Sequence, residues 1–373
     1  MTEACTLDTA AQRTHIGTTR FEPHPGIKAI LVTGGLGFIP SWLLRHLVLT
    51  YPEYLVVCYD NEGYCASRNN VRAVADRPNF RLEIGDVGDA ATLGAVLDRY
   101  AIDTVIHLAA ESHVDHSFGD PFRFTTTNVI GTQVLLEAVK LRAPQVRRFI
   151  HMSTDEVYGE AAGADAADLT EAAILAPTNP YAASKAAGDM LVGAYLKSFC
   201  VPAIIVRCNN VYGPLQFPEK IIPKFVRLLQ RQQPCTLHGT GKNTRRYLFA
   251  SDAVNGLDTV LHRGRIGSIY NVGSDTEVAN IDICRALVRI FRARGLLPDE
   301  KDDDEYIEYT ADRPFNDARY AIDSGKLRQL GWAPEVGFAA GLERTVDWYI
   351  AHDDSWWARG DSNDESPVAA KGV

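Results

Sequence analysis

No apolar run in this chain approaches the roughly 20 residues that a helix needs to cross a bilayer, and the first 26 residues lack the apolar centre of a secretory signal. Basic residues are in deficit: 38 Lys and Arg against 47 Asp and Glu give a formal charge of −9. That balance offers no basic face to nucleic acid or to an anionic membrane, although a few local arginines can still hold a small anionic substrate. Paired or metal-type cysteine spacing is missing as well. The seven cysteines (Cys5, Cys58, Cys65, Cys200, Cys208, Cys235, Cys284) are scattered, odd in number and never Cys-x-x-Cys. Reduced thiols and a cytoplasmic protein are expected. His107, His113 and His116 stand near one another without a thiol or a further suitably spaced histidine, so no metal site is expected. Neither an internal repeat nor a low-complexity tract is present. What remains, 46% hydrophobic and 23% charged over 373 residues, suits a soluble enzyme of one large or two linked domains.

From Lys28 onward, short β-branched runs alternate with longer amphipathic segments. Strands are predicted at 29–33, 54–59, 80–84, 104–107, 148–152 and 203–207, with helices between most of them, among them 41–50, 90–100 and 127–141. Continuous apolar strands separated by helices predict a doubly wound parallel sheet of Rossmann type, covered on both faces. The rhythm breaks after Pro214. Short strands near Ile269 and Ile307 mix with helices at 221–230, 281–294 and 341–350. The expected division is a mobile tail over 1–27, a dinucleotide-binding domain over 28–214 with some later segments returning to it, a smaller mixed α/β substrate region over 215–352, and a second tail over 353–373.

The first strand runs into Thr33-Gly34-Gly35-Leu36-Gly37-Phe38-Ile39-Pro40 and then a helix. Glycines there allow a sharp turn and the close approach of backbone amides to a pyrophosphate, helped by the helix N-terminus. Asp60 closes the second strand, where a carboxylate binds ribose hydroxyls and repels the extra phosphate of NADP; Asp86, after the third strand, is placed toward the adenine. NAD is the expected cofactor, with Phe38, Ile39 and Val87 beside it. Pro40 departs from the usual third glycine, and its ring is expected to set the helix slightly further out. Later in the chain, Tyr181 precedes Lys185 by one helical turn, so both can face one pocket. The lysine charge is expected to lower the phenol's pKa, making Tyr181 a base toward an alcohol. Thr154-Asp155-Glu156, at the end of a core strand, adds two adjacent carboxyl groups that cannot both ionise cheaply, one suited to hold a proton and the other to remove one.

Together, Thr-Gly-Gly-x-Gly-Phe-Ile, His107-Leu-Ala-Ala-Glu-Ser-His-Val-Asp115, Ser-Thr-Asp-Glu-Val-Tyr-Gly and Tyr-x-x-x-Lys resemble the extended short-chain dehydrogenase/reductases. Within these the chain looks like a nucleoside-diphosphate-glucose 4,6-dehydratase. Arg207-Cys-Asn-Asn-Val-Tyr-Gly-Pro214, Phe217-Pro-Glu-Lys220 and Asp312-Arg-Pro-Phe-Asn-Asp317 add to the likeness, which covers residues 28 to 350. The resemblance implies that Tyr181, helped by Thr154 and Lys185, takes the proton of the sugar's C4 hydroxyl as hydride passes to NAD. Glu156 then removes the C5 proton while Asp155 protonates the departing C6 hydroxyl; hydride returns to C6 and C5 is reprotonated. It also implies Leu108, Ala109, Ala110 and Thr127 along the cofactor and Ser112 near the sugar. Asn210, Lys220, Arg245, Asn280 and Arg313 are placed around the nucleotide. The helices over 127–141 and 181–199 would pair across a homodimer. Phe315-Asn316 replaces the Gly-His of many bacterial thymidine-nucleotide enzymes, which leaves uracil and thymine both open. Two other readings remain. A sugar-nucleotide 4-epimerase needs the Tyr-Lys pair and NAD but not Asp155-Glu156, and a silent NAD-binding scaffold needs none of the five.

Overall fold

The structure, a computed structural model, describes residues 15–161, 167–298 and 300–358. Strand β1 (Ala29–Thr33) is an unbroken apolar run buried at every position, as a strand covered on both faces must be. Helix α1 (Phe38–Thr50) follows the glycine turn. Next come β2 (Leu55–Asp60), β3 (Phe80–Ile84), α2 (Ala90–Arg99) and β4 (Thr104–His107). Two short helices, α3 (Val114–Gly119) and α4 (Pro121–Phe124), lead to a π-helical stretch, Thr125–Gly131, and α5 (Thr132–Lys140). Strand β5 (Arg148–Thr154), helix α6 (Pro180–Phe199) and strand β6 (Ala203–Cys208) complete the first half. The single helix expected over 127–141 is thus interrupted: its first turn is a wide π turn.

After residue 208 the elements are β7 (Asn210–Tyr212), α7 (Ile221–Gln230), β8 (Cys235–His238), β9 (Thr244–Phe249), α8 (Ala250–Arg263) and β10 (Ile269–Val272). Then come β11 (Glu277–Ala279), α9 (Asn280–Ala293), β12 (Ile307–Thr310), α10 (Gly325–Arg328) and α11 (Phe338–Ala351). Seven strands form one parallel sheet in the order β10-β6-β5-β4-β1-β2-β3. Its register places Ile30 between Val56 and Thr104. The order reverses between β1 and β4, and at such a switch point the strand ends open a crevice for ligands. The smaller sheets, β11-β9-β7 and β8-β12, lie beyond those ends. The architecture is the doubly wound parallel sheet with a smaller mixed C-terminal part that the sequence indicated. One apolar core runs through both halves, joining Trp42 and Leu43 of α1 to Phe225 of α7 and Tyr349 of α11.

The described parts of both expected tails are packed on the body. Residues 15–27 lie along the body: Asn255 Oδ1 on α8 accepts the backbone N–H of Thr18 at 2.7 Å, and the Thr19 hydroxyl donates to Asp258 at 2.6 Å. At the other end a 3₁₀ turn, Asp354–Trp357, buries Trp357, while the Trp356 carbonyl accepts from Ser67 and Asn69. Polar composition looked like solvation, but these polar groups have buried partners. Residues 1–14 and 359–373 of the expected tails lie outside the described residues. No helix among the described residues is long and apolar enough to cross a membrane.

Candidate active site

Gly34 carries φ +69°, and a Cβ there would stand 2.8 Å from the Ala109 Cα, so glycine is required for the turn to pass under the loop after β4. Gly37 is the N-cap of α1, with no side chain capping it and no acidic residue in the first helical turn. The free amides and positive end of the helix are thereby left for an anion. Gly35 faces the other way: its Cβ would meet Cys58 Sγ at 2.4 Å and Leu44 Cδ1 at 2.8 Å. Close helix–strand packing is therefore supplied by Gly35, and Pro40 fits as the third residue of α1, where no intrahelical N–H is lost. Asp60 pins the turn by accepting the N–H groups of Leu36 at 3.0 Å and Glu62 at 2.7 Å. Asp86 lies two residues past β3 and accepts from Asn61 and Gly88.

These groups line a cleft of about 470 Å³ at the C-terminal end of the sheet. Gly34, Gly37, Phe38, Ile39, Asp60, Asp86 and Val87 form one wall, with Leu108, Ala109, Ala110 and Thr127 beside them. Ser112, Thr154, Glu156, Tyr181, Lys185, Asn210, Lys220, Arg245, Asn280 and Arg313 line the rest. Of the residues expected from sequence, Gly35 and Asp155 are not on the cleft wall. A glycine turn, an uncapped helix end and a strand-end carboxylate in one cleft fit a dinucleotide.

The hydride half of the site departs from expectation in its electrostatics. Burial, then the Glu156 charge, pushes the Tyr181 phenol well above its ordinary value; the hydrogen bond with Thr154 acts the other way. Lys185, expected to lower that phenol, is itself lowered to about 8 by burial and donates to the Met152 carbonyl at 2.6 Å. Desolvation therefore outweighs the lysine charge in the site as it stands. Thr154 is the junction. Its hydroxyl accepts the Glu156 N–H at 3.3 Å and donates to Asp155 Oδ1 at 3.2 Å.

Asp155 sits behind the wall, 2% exposed, with Oδ2 accepting from Asn209 at 2.6 Å. Burial and then the Glu156 charge raise it to about 7. Burial also raises Glu156, but Arg245, Asn179 and Lys220 pull it back toward the ionised form. The two carboxyl groups are thus unequal in the manner their adjacency suggested. Arg245 donates to the carbonyls of Thr244 and Asp317 and lies over the Tyr320 ring at 4.5 Å. Arg313 pairs with Asp115 at 2.5 Å, and Lys220 donates to the Ser112 carbonyl at 2.6 Å.

The histidines divide. His107 is structural, bridging Thr33 and Thr132 at 2.8 and 2.9 Å, and burial holds it at about 3. His113, His116 and Glu219 bring ligand-type atoms within 4.8 Å of one another, the one such group among the described residues. The Lys220 ammonium stands 3.9 Å from Glu219 and helps lower His113, so the protein already supplies a cation there. Sequence reasoning missed Asn179 and Asn209, which donate to the two carboxyl groups. It also missed Thr33, whose hydroxyl accepts the N–H groups of Leu108 and Ala109.

A doubly wound sheet with this glycine turn and a Tyr-Lys pair facing it defines an extended short-chain dehydrogenase/reductase. The chain belongs to the GDP-mannose 4,6-dehydratase family, whose model matches residues 31–345. It is 44% identical over 330 residues to an Arabidopsis thaliana trifunctional UDP-glucose 4,6-dehydratase/UDP-4-keto-6-deoxy-D-glucose 3,5-epimerase/UDP-4-keto-L-rhamnose-reductase, with 88% of this chain and 48% of that protein covered. The chain thus spans about half the length of that relative. It is 40% identical over 329 residues to the Homo sapiens dTDP-D-glucose 4,6-dehydratase, covering 88% of this chain and 92% of the human one. A crystal structure of the Streptomyces venezuelae dTDP-glucose 4,6-dehydratase with NAD bound superposes with a TM-score of 0.80 at 39% identity, covering 88% of this chain and 98% of that one.

Proposed function

We propose that this protein is an NAD-dependent nucleoside-diphosphate-glucose 4,6-dehydratase, a lyase that turns UDP- or dTDP-glucose into the 4-keto-6-deoxy sugar nucleotide for deoxysugar synthesis. The observation that carries the reading is the buried carboxyl pair beside Tyr181: Asp155, raised to about 7, accepts from Asn209 behind the cleft wall, while Glu156, also raised by burial, lines the cleft, where Arg245, Asn179 and Lys220 draw it back toward ionisation. An epimerase working through the same Tyr-Lys pair has no use for it. Gly34, Gly37, Phe38, Ile39, Asp60 and Asp86 would hold NAD. When bound, NAD supplies a hydride acceptor at C4, a hydride donor at C6 and a ring charge that favours the phenolate.

Tyr181 takes the C4 hydroxyl proton, with Thr154 stabilising the phenolate. The ketone acidifies the C5 hydrogen, which Glu156 removes as a proton and gives back to C5 once C6 has been reduced. Asp155 provides the proton for the departing C6 hydroxyl; holding that proton, it would donate to the Thr154 hydroxyl on the cleft wall and leave the Thr154 hydrogen free for the phenolate. Lys220, Arg245 and Arg313 carry charge to match a diphosphate, Asn210 and Asn280 offer amides, and Ser112 stands on the sugar side. Arg313 would exchange Asp115 for phosphate oxygens. The exposed Phe122, Ile130 and Met190 on α4, the π turn and α6 complete the reading as the contact face of a homodimer. The free thiols among the described residues agree with a cytoplasmic setting.

Purified protein incubated with UDP-glucose or dTDP-glucose should release a product lighter by one water, without added reductant. Glu156→Gln should cut that turnover by roughly 10²–10⁴, the usual weight of a general base. An isomer of unchanged mass from the wild-type protein would replace the dehydratase with the epimerase.

A further inference from the structure

Asn179 immediately precedes α6, and the two ends of its amide are engaged in different tasks. Its Oδ1 accepts the Ala182 N–H at 2.8 Å, capping the helix that carries Tyr181 and Lys185. Its Nδ2 donates to Glu156 Oε2 at 3.2 Å. Asn179 and Glu156 are both buried and both line the cleft. The first contact fixes the second. With its oxygen committed to a backbone N–H, the amide has only its NH₂ group to turn toward the carboxylate. Helix capping alone does not call for an amide, since Ser, Thr or Asp caps as well as Asn does. The amide carries its acceptor and its donor on two separate atoms, so this one side chain caps the helix with the first and reaches Glu156 with the second.

We propose that Asn179 is a positioning residue for the elimination of water, holding the Glu156 carboxyl group aimed and in register with the helix that bears Tyr181. The inference rests on Glu156 acting as the C5 base. Other charged or titratable groups also face Glu156. Arg245 on β9 and Lys220 before α7 favour its charge, whereas Asp317 opposes it; Asp155, Tyr181 and Tyr320 each feel it. Of the groups favouring ionisation, Asn179 is the one joined to α6.

The test compares Asn179→Ser and Asn179→Asp with the wild-type protein in single-turnover reactions on UDP-glucose and dTDP-glucose. It follows reduced-cofactor absorbance and the mass of the product. Both variants keep a capping side chain and should fold. In both, formation of reduced cofactor should change by less than water loss does. Loss of water should slow by on the order of tenfold or more, the weight of a hydrogen bond to a charged group. In Asn179→Asp the low-pH limb of water loss should also move upward, because a second carboxylate disfavours ionised Glu156. Equal slowing of both steps, or an unmoved pH limb, would show that Asn179 is a helix cap and nothing more. A wild-type protein that eliminates water only while Glu156 is intact, alongside Asn179 variants at wild-type rates, overturns this inference alone. A wild-type protein that yields no water-loss product overturns the dehydratase reading and this inference together.

Discussion

Asp155 carries its proton far above the usual carboxylate range because it is buried and next to the Glu156 charge, reaching about 7 against 3.8. The folded value is the higher one, so the native state holds a proton that the unfolded chain releases between those two values. The stability this group contributes is full below 3.8 and is lost as pH rises through about 7. Asp155→Asn keeps the shape and still accepts from Asn209, but cannot titrate. Thermal midpoints of the two proteins should therefore diverge between roughly pH 4 and pH 7, the wild type losing ground as pH rises; parallel curves would place the proton elsewhere. Water elimination should fall by roughly 10²–10⁴ in the same variant, as for loss of a general acid. At this scale the sequence was largely legible. Thr154, Glu156, Tyr181 and Lys185 stand in one cleft because motif spacing fixes strand ends and helical turns. The direction of the Tyr181 shift was not legible, since spacing reports which charges are near but not how much water burial removes. Asn179 before Pro180 carried the plain signature of a helix start, but its second contact depends on a residue 23 positions earlier in the chain.

The central strands were readable because a parallel strand covered on both faces is a largely apolar run; β1 and β4 begin and end where the pattern does. Helix α8 escaped notice for the opposite reason. Asp252, Asn255, Asp258 and Thr259 break its apolar periodicity, yet all are buried. Two of them, Asn255 and Asp258, hold the segment 15–27 that resembled a tail. Asp258 accepts from Thr19 and Tyr51 and touches His46, while Asn255 accepts from the backbone of Thr18 and Thr19. Gly17 permits the approach, since a Cβ there would stand 2.4 Å from Asn255 Oδ1. Asn255→Ala leaves two backbone donors without their acceptor and should cost about 2 kcal/mol of stability. Trypsin cleavage after Arg20 should speed up correspondingly in limited proteolysis. Unchanged cleavage would mean that the segment is held by its apolar contacts and not by these bonds.

For the molecule as a whole, the most telling surface is the side formed by α4, the π turn and α6. Helix α6 packs against the π turn and α5, so its inner face is accounted for within the chain. Its outer face is not: Met190 is 64% exposed, and Phe122 and Ile130 on the neighbouring segments are 81% and 49% exposed. Single exposed apolar residues are ordinary, but three on adjoining helices suggest a covered contact. A second copy of the same face would cover them, and a symmetric contact is the commonest arrangement for soluble oligomers. Such a pairing would also bind the helix carrying Tyr181 and Lys185, stiffening the element that positions the hydride chemistry. Ile130→Arg with Met190→Arg introduces charge where the chain's own core does not reach, so each protomer should keep its fold. Sedimentation should give twice the chain mass for the wild type and the chain mass for the double variant. Turnover per protomer should drop in the variant as α6 loses its support. A wild-type protein sedimenting as a monomer at micromolar concentration, with full activity, would leave that face free for some other use and remove the dimer from the account.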